Sequence, residues 1–240
     1  MISLERRNGR PLRIGHRGAA TLGPANTLAS FRLALETGVD LIEFDVVSTP
    51  GSGLLVSHSA HEIQPETPPL DEVLRFFVDE APDIGVHLDL KQTGRESEVV
   101  EALRRFGLSE RAFVSSVYAS TSRRIAALGG ARVGITIPRS AFKISEDGRS
   151  APIARAGLRA ARLLTPGLVR PILAYTRATA FVLHHSVVTS GSVRAAHACR
   201  VPVVTWTVDD PRELARVDEA GVDAIVTNDP RLFLPDWRLH

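Results

Sequence analysis

Eight short apolar runs, alternating with helix-like segments, are the feature that most limits how this chain can fold. The runs mostly lack the polar–apolar alternation of half-exposed strands, which is typical of strands buried on both faces. Helix-like segments between them indicate parallel βαβ units. The predicted strands are Leu12–Gly15, Leu41–Val47, Ile84–Leu90, Ala112–Ser115, Arg132–Ile137, Ala180–Leu183, Val201–Thr207 and Ala224–Thr227.

Eight such units in 240 residues favour a closed (β/α)8 barrel, or TIM barrel, built as one α/β domain over residues 1–240. The alternative is a doubly wound open sheet. In its nucleotide-binding form, that sheet has a glycine fingerprint directly after the first strand. The stretch Gly15-His16-Arg17-Gly18 lacks the required spacing and the following helix. The closed barrel is therefore the prediction.

Helix boundaries fit between these strands. The pair Asn26-Thr27 predicts the start of a helix that ends at Gly38. Asp71-Glu72 opens the next helix, and Asp209-Asp210-Pro211 opens one that ends near residue 221.

The segment of residues 150–180, between the fifth and sixth predicted strands, is longer than one barrel helix requires. The only charged residues in this segment are arginines, and Pro166-Gly167 and Pro171 interrupt it. Because proline breaks helices, we expect an outer helix and a short extra helical segment covering the barrel. The alternative is a basic, apolar flap that makes transient contact with lipid or a membrane surface.

Composition excludes several classes of protein. The formal net charge is only +2, which gives no electrostatic footprint for nucleic acid. A single cysteine, Cys199, cannot form a disulfide within the chain, and we expect it to be a small packing residue. The sequence has neither a signal-peptide pattern nor an apolar run long enough to span a membrane, so we expect a cytoplasmic protein.

Glu43 and Asp45 lie two residues apart on the second predicted strand, so their side chains point to the same face. Two carboxylates in an apolar strand would repel each other and be poorly solvated, and a divalent cation between them resolves both problems. Asp89, at the end of the third strand, offers a third carboxylate. Oxygen ligands favour Mg2+, Ca2+ or Mn2+ over zinc. The alternative is that one carboxylate pairs with Arg17 or Lys91.

Histidines and cations also follow the predicted strands. His16 and Arg17 come after the first strand, His58 after a short extra strand, and Lys91 after the third. In a (β/α)8 barrel these strand ends converge on one mouth. The two histidines are candidates for proton transfer, and the cations suit an anionic substrate.

Four other histidines are weaker candidates. His87 lies two residues before Asp89 on the same face and is a candidate hydrogen-bond partner for it. One of His184 and His185, at the end of the sixth strand, is a candidate to contact substrate. No comparable argument places His61 in the site.

Five stretches of sequence, in this order and spacing, resemble the glycerophosphodiester phosphodiesterase family along nearly the whole chain. The resemblance implies a TIM barrel of the phospholipase C-like phosphodiesterase type. It also implies hydrolysis of a small phosphodiester, such as glycerophosphocholine, to sn-glycerol 3-phosphate and an alcohol. The five stretches are Gly15–Gly18, Pro24–Phe31, Gly38–Val46, Val203–Asp210 and Gly221–Pro230.

The resemblance further implies a set of site residues. One divalent cation, Mg2+ or Ca2+ with Mn2+ as a further option, would assist general acid/base catalysis by two histidines. Asp89 stands where the family has a metal-binding Glu two residues before a Lys. The implied metal ligands are Glu43, Asp45 and Asp89, the catalytic residues are His16 and His58, and the substrate-binding residues are Arg17, Lys91 and Trp206.

The chain departs from the family pattern at three positions. Ala25 replaces a Glu before Asn-Thr, Ser59 replaces an Asp after the histidine, and Asp89 is shorter by one methylene than the usual Glu. These changes remove carboxylates from the expected mouth of the barrel. They leave two alternatives open: a lysophospholipase D-type enzyme acting on lysophospholipids, and an inactive barrel that only binds a phosphoester.

Overall fold

A computed structural model describes residues 1–138 and 151–234 of the chain, except for the side chains of residues 151–155. Eight parallel strands form a closed barrel, because the first strand pairs with both the last and the second. The short β3 pairs antiparallel with the end of β2. The predicted barrel and its extra strand are confirmed. The strands are β1 Leu12–Gly15, β2 Leu41–Val47, β3 Leu55–Val56, β4 Gly85–Leu90, β5 Ala112–Ser116, β6 Arg132–Ile137, β7 Ala180–His184, β8 Val203–Trp206 and β9 Ala224–Thr227.

Helices follow the strands around the outside of the barrel. Two predicted helix starts are confirmed by caps, since Thr27 accepts a hydrogen bond from the Ser30 N–H and Asp210 accepts from two N–H groups of the first turn. Within residues 1–138 and 151–234, no helix combines the length and apolarity needed to cross a bilayer. The helices are α1 Leu28–Glu36, α2 Leu70–Asp79, α3 Glu96–Arg105, α4 Ala119–Leu128, α5 Ala151–Thr176, α6 Ser190–Ala198 and α7 Pro211–Glu219.

The extra helical segment lies between β6 and β7 as predicted, but its expected break is wrong. α5 runs for 26 residues through both Pro166 and Pro171. A proline inside a helix costs about 3 kcal/mol, and a continuous buried face offsets that loss here. Ser150, the first residue of the predicted segment, lies outside the described residues. The buried face of α5 includes Ala161, Thr165, Val169 and Leu173, which are spaced four residues apart, and Thr176 in the last turn.

The barrel interior has an apolar floor below a polar mouth. Leu4 from the N-terminal segment is fully buried and packs with the inward side chains at the amino ends of the strands. Ile14 and Phe113 belong to the same cluster. Among the described residues, this packing closes the bottom of the barrel and leaves the interior accessible from the carboxyl ends of the strands.

Aromatic packing fixes the strand that carries the predicted carboxylate pair. Phe44 lies between Glu43 and Asp45 on β2 and points outward, where its ring centroid is 5.7 Å from those of Phe31 and Phe77. Both partners belong to helices that cover this side of the barrel. Because side chains alternate along a strand, anchoring Phe44 outside orients both carboxylates inward.

Asp40 ties the N-terminal segment to the amino end of β2. Its carboxylate accepts hydrogen bonds from Arg10 at 2.7 and 3.1 Å, from Arg7 at 3.0 Å and from the Arg13 N–H at 2.8 Å. Burial alone would raise the pKa of Asp40, but the hydrogen bonds from Arg10 and the Arg13 N–H lower it. Asp40 therefore acts as an ionised anchor for the segment that closes the barrel floor.

We predict that Asp40→Asn lowers the free energy of unfolding by about 2 kcal/mol, because buried charge-assisted hydrogen bonds are lost. The pKa of Asp40 is lowered in the folded state, so its contribution is complete above about pH 4 and disappears as the pH falls through the folded value. Urea unfolding at a series of pH values checks both points. The exposed pair of Arg32 and Glu80 supplies the control, since Glu80→Gln should leave stability unchanged. Equal effects of the two substitutions would contradict the anchor.

Candidate active site

A cavity of about 230 Å³ opens at the carboxyl ends of the barrel strands. Seven of the eight predicted site residues line this cavity, and the remaining one, Asp45, is fully buried behind the cavity wall. The barrel thus brings together residues that are far apart in the sequence; His16 and Trp206, for example, are separated by 190 positions. The predicted site residues that line the cavity are His16, Arg17, Glu43, His58, Asp89, Lys91 and Trp206.

Asp45 is the centre of this cluster. One of its carboxylate oxygens lies 2.7 Å from Lys91 Nζ, and the other lies 2.9 Å from Arg17 Nε. Asn26 donates to the carboxylate from Nδ2 at 3.0 Å and accepts from the Asp45 N–H at 3.1 Å. Burial would raise the pKa of Asp45, but the His58 hydrogen bond and the two cations lower it well below its usual value. Asp45 is therefore ionised.

Glu43 is in the opposite electrostatic situation. Burial and the nearby charge of Asp45 raise the pKa of Glu43 well above its usual value. Its carboxylate accepts a hydrogen bond from the Arg17 N–H at 2.9 Å. This contact requires the tight turn after β1, where Gly18 has φ of 85° and a side-chain Cβ would come 2.6 Å from the Ser30 backbone. Among the residues that the structure describes, no lysine or arginine side chain forms an ion pair with Glu43, in contrast to Asp45.

Asp89 is held from two sides. Lys91 forms an ion pair with one carboxylate oxygen, and Ser115 Oγ donates a hydrogen bond to the other at 2.9 Å. His87 Nε2 lies 2.9 Å from the same Ser115 hydroxyl. Burial lowers the pKa of His87 to about 3, so its ring is neutral and donates from Nε2 to Ser115. The predicted contact of His87 with Asp89 is thus made through a serine that the sequence did not single out.

The ring of His16 is oriented by a hydrogen-bonded chain. Asp209 accepts from Asn228 Nδ2 at 2.6 Å and from the Asn228 N–H at 2.8 Å, so the amide oxygen of Asn228 faces His16 Nδ1 at 2.6 Å. His16 must therefore carry its proton on Nδ1. Burial and the charge of Arg17 lower the pKa of His16, although the Asn228 hydrogen bond opposes this. The neutral ring leaves a lone pair on Nε2, which is 3.8 Å from Glu43.

His58 is the more accessible of the two histidines, with 41% of its side chain exposed. Its Nδ1 lies 2.9 Å from Arg17 Nη2 and 3.2 Å from Asp45 Oδ2. The first contact needs an unprotonated nitrogen and the second a protonated one, so either protonation state of Nδ1 has a partner. Ser59 instead donates to Glu62 at 3.2 Å. His58 is thus held by Arg17 and Asp45, and its neighbour Ser59 makes no hydrogen bond with it.

His184 and His185, of which one was expected to contact substrate, have different surroundings. His184 contacts the Trp206 ring edge-on, with centroids 5.4 Å apart, and so supports one wall of the cavity. His185 Nδ1 lies 3.0 Å from Glu213 of α7. Neither of them is among the residues that line the cavity.

The cavity has one charged wall and one neutral wall. The charged groups come from the turn after β1, from β2, from the loop after β3, and from the end of β4 together with Lys91 just beyond it. Thr136, Val182, Trp206 and Val226 form the other side. Within the described part of the chain, four buried polar atoms of cavity-lining residues lack a hydrogen-bond partner. They are Arg17 Nε, whose only polar contact is its ion pair with Asp45, and His87 Nδ1, Thr136 Oγ1 and Trp206 Nε1. Such a cavity suits a ligand with an anionic part and an uncharged part that bears hydroxyl groups.

The three carboxylates have the spacing of a cation site. One oxygen from each of Glu43, Asp45 and Asp89 lies within 4.8 Å of the others. Oxygens on opposite sides of one Ca2+ ion are separated by up to about 5 Å, so a single ion can reach all three. The buried Glu43 carboxylate, whose charge is poorly compensated, also favours a cation here. The residues therefore fit Mg2+, Ca2+ or Mn2+.

Four residues of this network were not assigned to the site from the sequence. In the sequence, Asn26 and Asp209 are accounted for as helix starts, and Asn228 stands only within the stretch Gly221–Pro230. Ser115 was only the end of a strand. A polar side chain that supports another residue gives no pattern of its own, so these roles became visible only from the contacts.

Comparisons with known proteins identify the family and the fold of this chain. A family model described as the glycerophosphoryl diester phosphodiesterase family matches residues 16–80 and 59–232. A glycerophosphodiester phosphodiesterase of Caldanaerobacter subterraneus is 26% identical over 259 residues, covering 92% of this chain and 95% of that protein. Among solved structures, a glycerophosphodiester phosphodiesterase from Thermotoga maritima aligns with a TM-score of 0.68 at 17% identity, covering 96% and 98% of the two chains.

A second solved structure was determined with a ligand. A phosphodiesterase from Oleispira antarctica, in complex with the product sn-glycerol-3-phosphate, aligns with a TM-score of 0.65 at 19% identity. The alignment covers 92% of this chain and 94% of that one. The similarity of fold thus extends over nearly the whole barrel.

We predict that His16 is neutral and protonated on Nδ1 at pH 7, as measured by long-range 1H–15N NMR. Asp209→Ala should remove this preference, because the Asn228 amide is then free to turn. The adjacent Asp210→Ala is a matched control: it should lower stability by about 1 kcal/mol through loss of the α7 cap and leave the His16 spectrum unchanged. A His16 ring protonated on Nε2 in the unsubstituted protein would contradict the proposed chain.

Proposed function

The chain belongs to the glycerophosphoryl diester phosphodiesterase family, and we propose that it hydrolyses glycerophosphodiesters to sn-glycerol 3-phosphate and an alcohol with one divalent cation. One observation carries the proposal. Buried Asp45 contacts Arg17, Lys91 and His58 directly, within a carboxylate cluster that fits a cation. The predicted cytoplasmic location and the predicted absence of a nucleic-acid partner remain predictions.

The charges of the site support a need for a cation. Glu43, Asp45 and Asp89 outnumber Arg17 and Lys91 by one, so fully ionised residues alone would repel a phosphodiester anion. The three carboxylates would hold the ion, which when bound draws charge from the phosphoryl oxygens. Arg17 would bind the phosphate directly, since a guanidinium matches phosphate geometry. Lys91 would add a second positive charge near it.

The two histidines are suited to different proton transfers. His16, fixed by Asn228 with its lone pair on Nε2, would accept a proton from the nucleophile, which is water or the 2-hydroxyl of the glycerol. His58 would donate a proton to the leaving alkoxide, because it is partly exposed and has a partner for either protonation state. The neutral wall with Thr136 and Trp206 would contact the glycerol hydroxyls.

A second candidate is a lysophospholipase D-type activity. Val117 lines the cavity with 44% of its surface exposed, and the adjacent Tyr118 is 43% exposed, which gives the mouth an apolar rim. The cavity is smaller than typical pockets for drug-sized ligands, so an acyl chain would lie along this rim. A higher kcat/KM for lysophosphatidylcholine than for glycerophosphocholine would favour this candidate over the first.

We predict that purified protein releases glycerol 3-phosphate from glycerophosphocholine with Mg2+, Ca2+ or Mn2+ and not with EDTA. His16→Ala and His58→Ala should each lower kcat by about 100- to 10,000-fold, the range for a lost general acid or base. His61→Ala is the matched control and should retain full activity, because His61 is an exposed residue outside the cavity lining.

Two results would contradict this assignment. Full turnover in EDTA would exclude the need for a cation. A lack of turnover of either substrate class with any cation would instead support the alternative that this barrel only binds phosphoesters.

We also predict that a divalent cation stabilises the protein through Glu43. At a concentration of about 100 times Kd the gain is about 2.7 kcal/mol, or a rise of roughly 5–10 °C in Tm. Glu43→Gln should abolish this rise without lowering Tm in EDTA, because the substitution removes a buried charge beside Asp45. Glu62→Gln, at an exposed carboxylate outside the cluster, should behave like the unsubstituted protein in calorimetry. An undiminished rise in Tm for Glu43→Gln would exclude this ligand set.

A further inference from the structure

The outer face of α5 exposes a stripe of large apolar side chains. Leu163 is 80% exposed, Leu164 61%, Leu168 44% and Tyr175 61%. Single exposed leucines are common, but four such residues on one helix form a patch that calls for an explanation. Val78 of α2, at 42%, is by comparison an isolated exposed residue.

The stripe is distinct from the face that packs on the barrel. The buried positions of α5 recur every four residues from Ala161 to Leu173 and hold the helix against the barrel and α6. The exposed positions, at residues 163, 164, 168 and 175, are separated by one, four and seven residues and lie on the outward side of the helix. α5 therefore has two apolar faces, and the barrel uses only one of them.

The charges on α5 have a single sign. Residues 151–180 contain no Asp or Glu, and Arg159, Arg170 and Arg177 are exposed beside the stripe. Among the described residues, none of these arginines forms a salt bridge with an acidic side chain. An apolar stripe beside uncompensated arginines is the pattern of a helix that lies in the interface of a membrane.

From this face we infer that α5 docks the protein on the surface of an anionic phospholipid bilayer. The apolar stripe would enter the headgroup region while the arginines contact lipid phosphates. A second copy of the chain fits less well. A symmetric dimer through this face would place arginines against arginines with no acidic partner, which costs energy.

The position of α5 would bring the barrel mouth close to the membrane. Arg162 Nε donates to the Ser186 carbonyl at 2.8 Å, and Ser186 lies two residues after His184, which contacts Trp206 in the cavity wall. The helix continues for three turns on the N-terminal side of Arg162. Docking through α5 would therefore place the cavity beside the lipid headgroups. The inference does not depend on which diester the site hydrolyses.

Vesicle sedimentation tests this inference. The protein should bind vesicles of equal parts phosphatidylglycerol and phosphatidylcholine at about 50 mM salt, and bind much less at about 500 mM salt or to pure phosphatidylcholine. The double substitution Leu163→Gln/Leu164→Gln should weaken binding more than about tenfold. Arg159→Gln/Arg170→Gln should weaken binding about 25-fold, because each arginine contributes about fivefold.

Val78→Gln is the matched control, since it removes an exposed apolar side chain from another helix and should leave vesicle binding unchanged. An unchanged Tm for every variant would show that each remains folded. Three results would overturn the inference: no binding to phosphatidylglycerol vesicles at low salt, undiminished binding of the leucine variant, or a dimer in light scattering that the leucine variant converts to a monomer. The last result would identify the face as an interface between two copies.

Discussion

The arrangement of the mouth depends on a single buried carboxylate, that of Asp45. It is fully buried yet ionised, because Lys91 and Arg17 lie within 3 Å and Asn26 and His58 add hydrogen bonds. Burying a charge without partners would be very costly, so these four side chains must take the positions that they occupy. The turn after β1, the loop after β3 and the end of β4 are thereby tied to β2.

The ion pairs of Asp45 with Arg17 and Lys91 connect the stability of the barrel mouth with the proposed chemistry. Arg17 and Lys91 compensate Asp45 almost completely but leave Glu43 with a raised pKa. A bound divalent cation would relieve this unfavourable burial of the Glu43 charge. A site that combines Arg17 and Lys91 with a carboxylate cluster able to hold a cation suits a phosphodiester anion. The departures at Ser59 and Asp89 are compensated locally: Arg17 and Asp45 contact His58, and Ser115 holds the shorter Asp89.

Much of this could be predicted from the sequence, because it rests on periodicity and on residues with distinctive chemistry. The eight strands are apolar runs, and Glu43 and Asp45 stand out as charges within one of them. The continuous α5 could not be predicted, since local proline rules indicated a break and only packing on the barrel outweighs it. The supporting roles of four polar residues could not be predicted for another reason, because a hydrogen bond between distant residues leaves no local pattern in the sequence. These residues are Asn26, Ser115, Asp209 and Asn228.

The most direct test of this account is a crystal structure of the protein soaked in Mn2+, with anomalous difference density measured at the manganese absorption edge. The account predicts one peak at the barrel mouth, within coordination distance of carboxylate oxygens from Glu43, Asp45 and Asp89. A fully occupied ion elsewhere, or no peak while Lys91 still fills the space between the carboxylates, would contradict it. The cluster would then be a purely structural network of ion pairs.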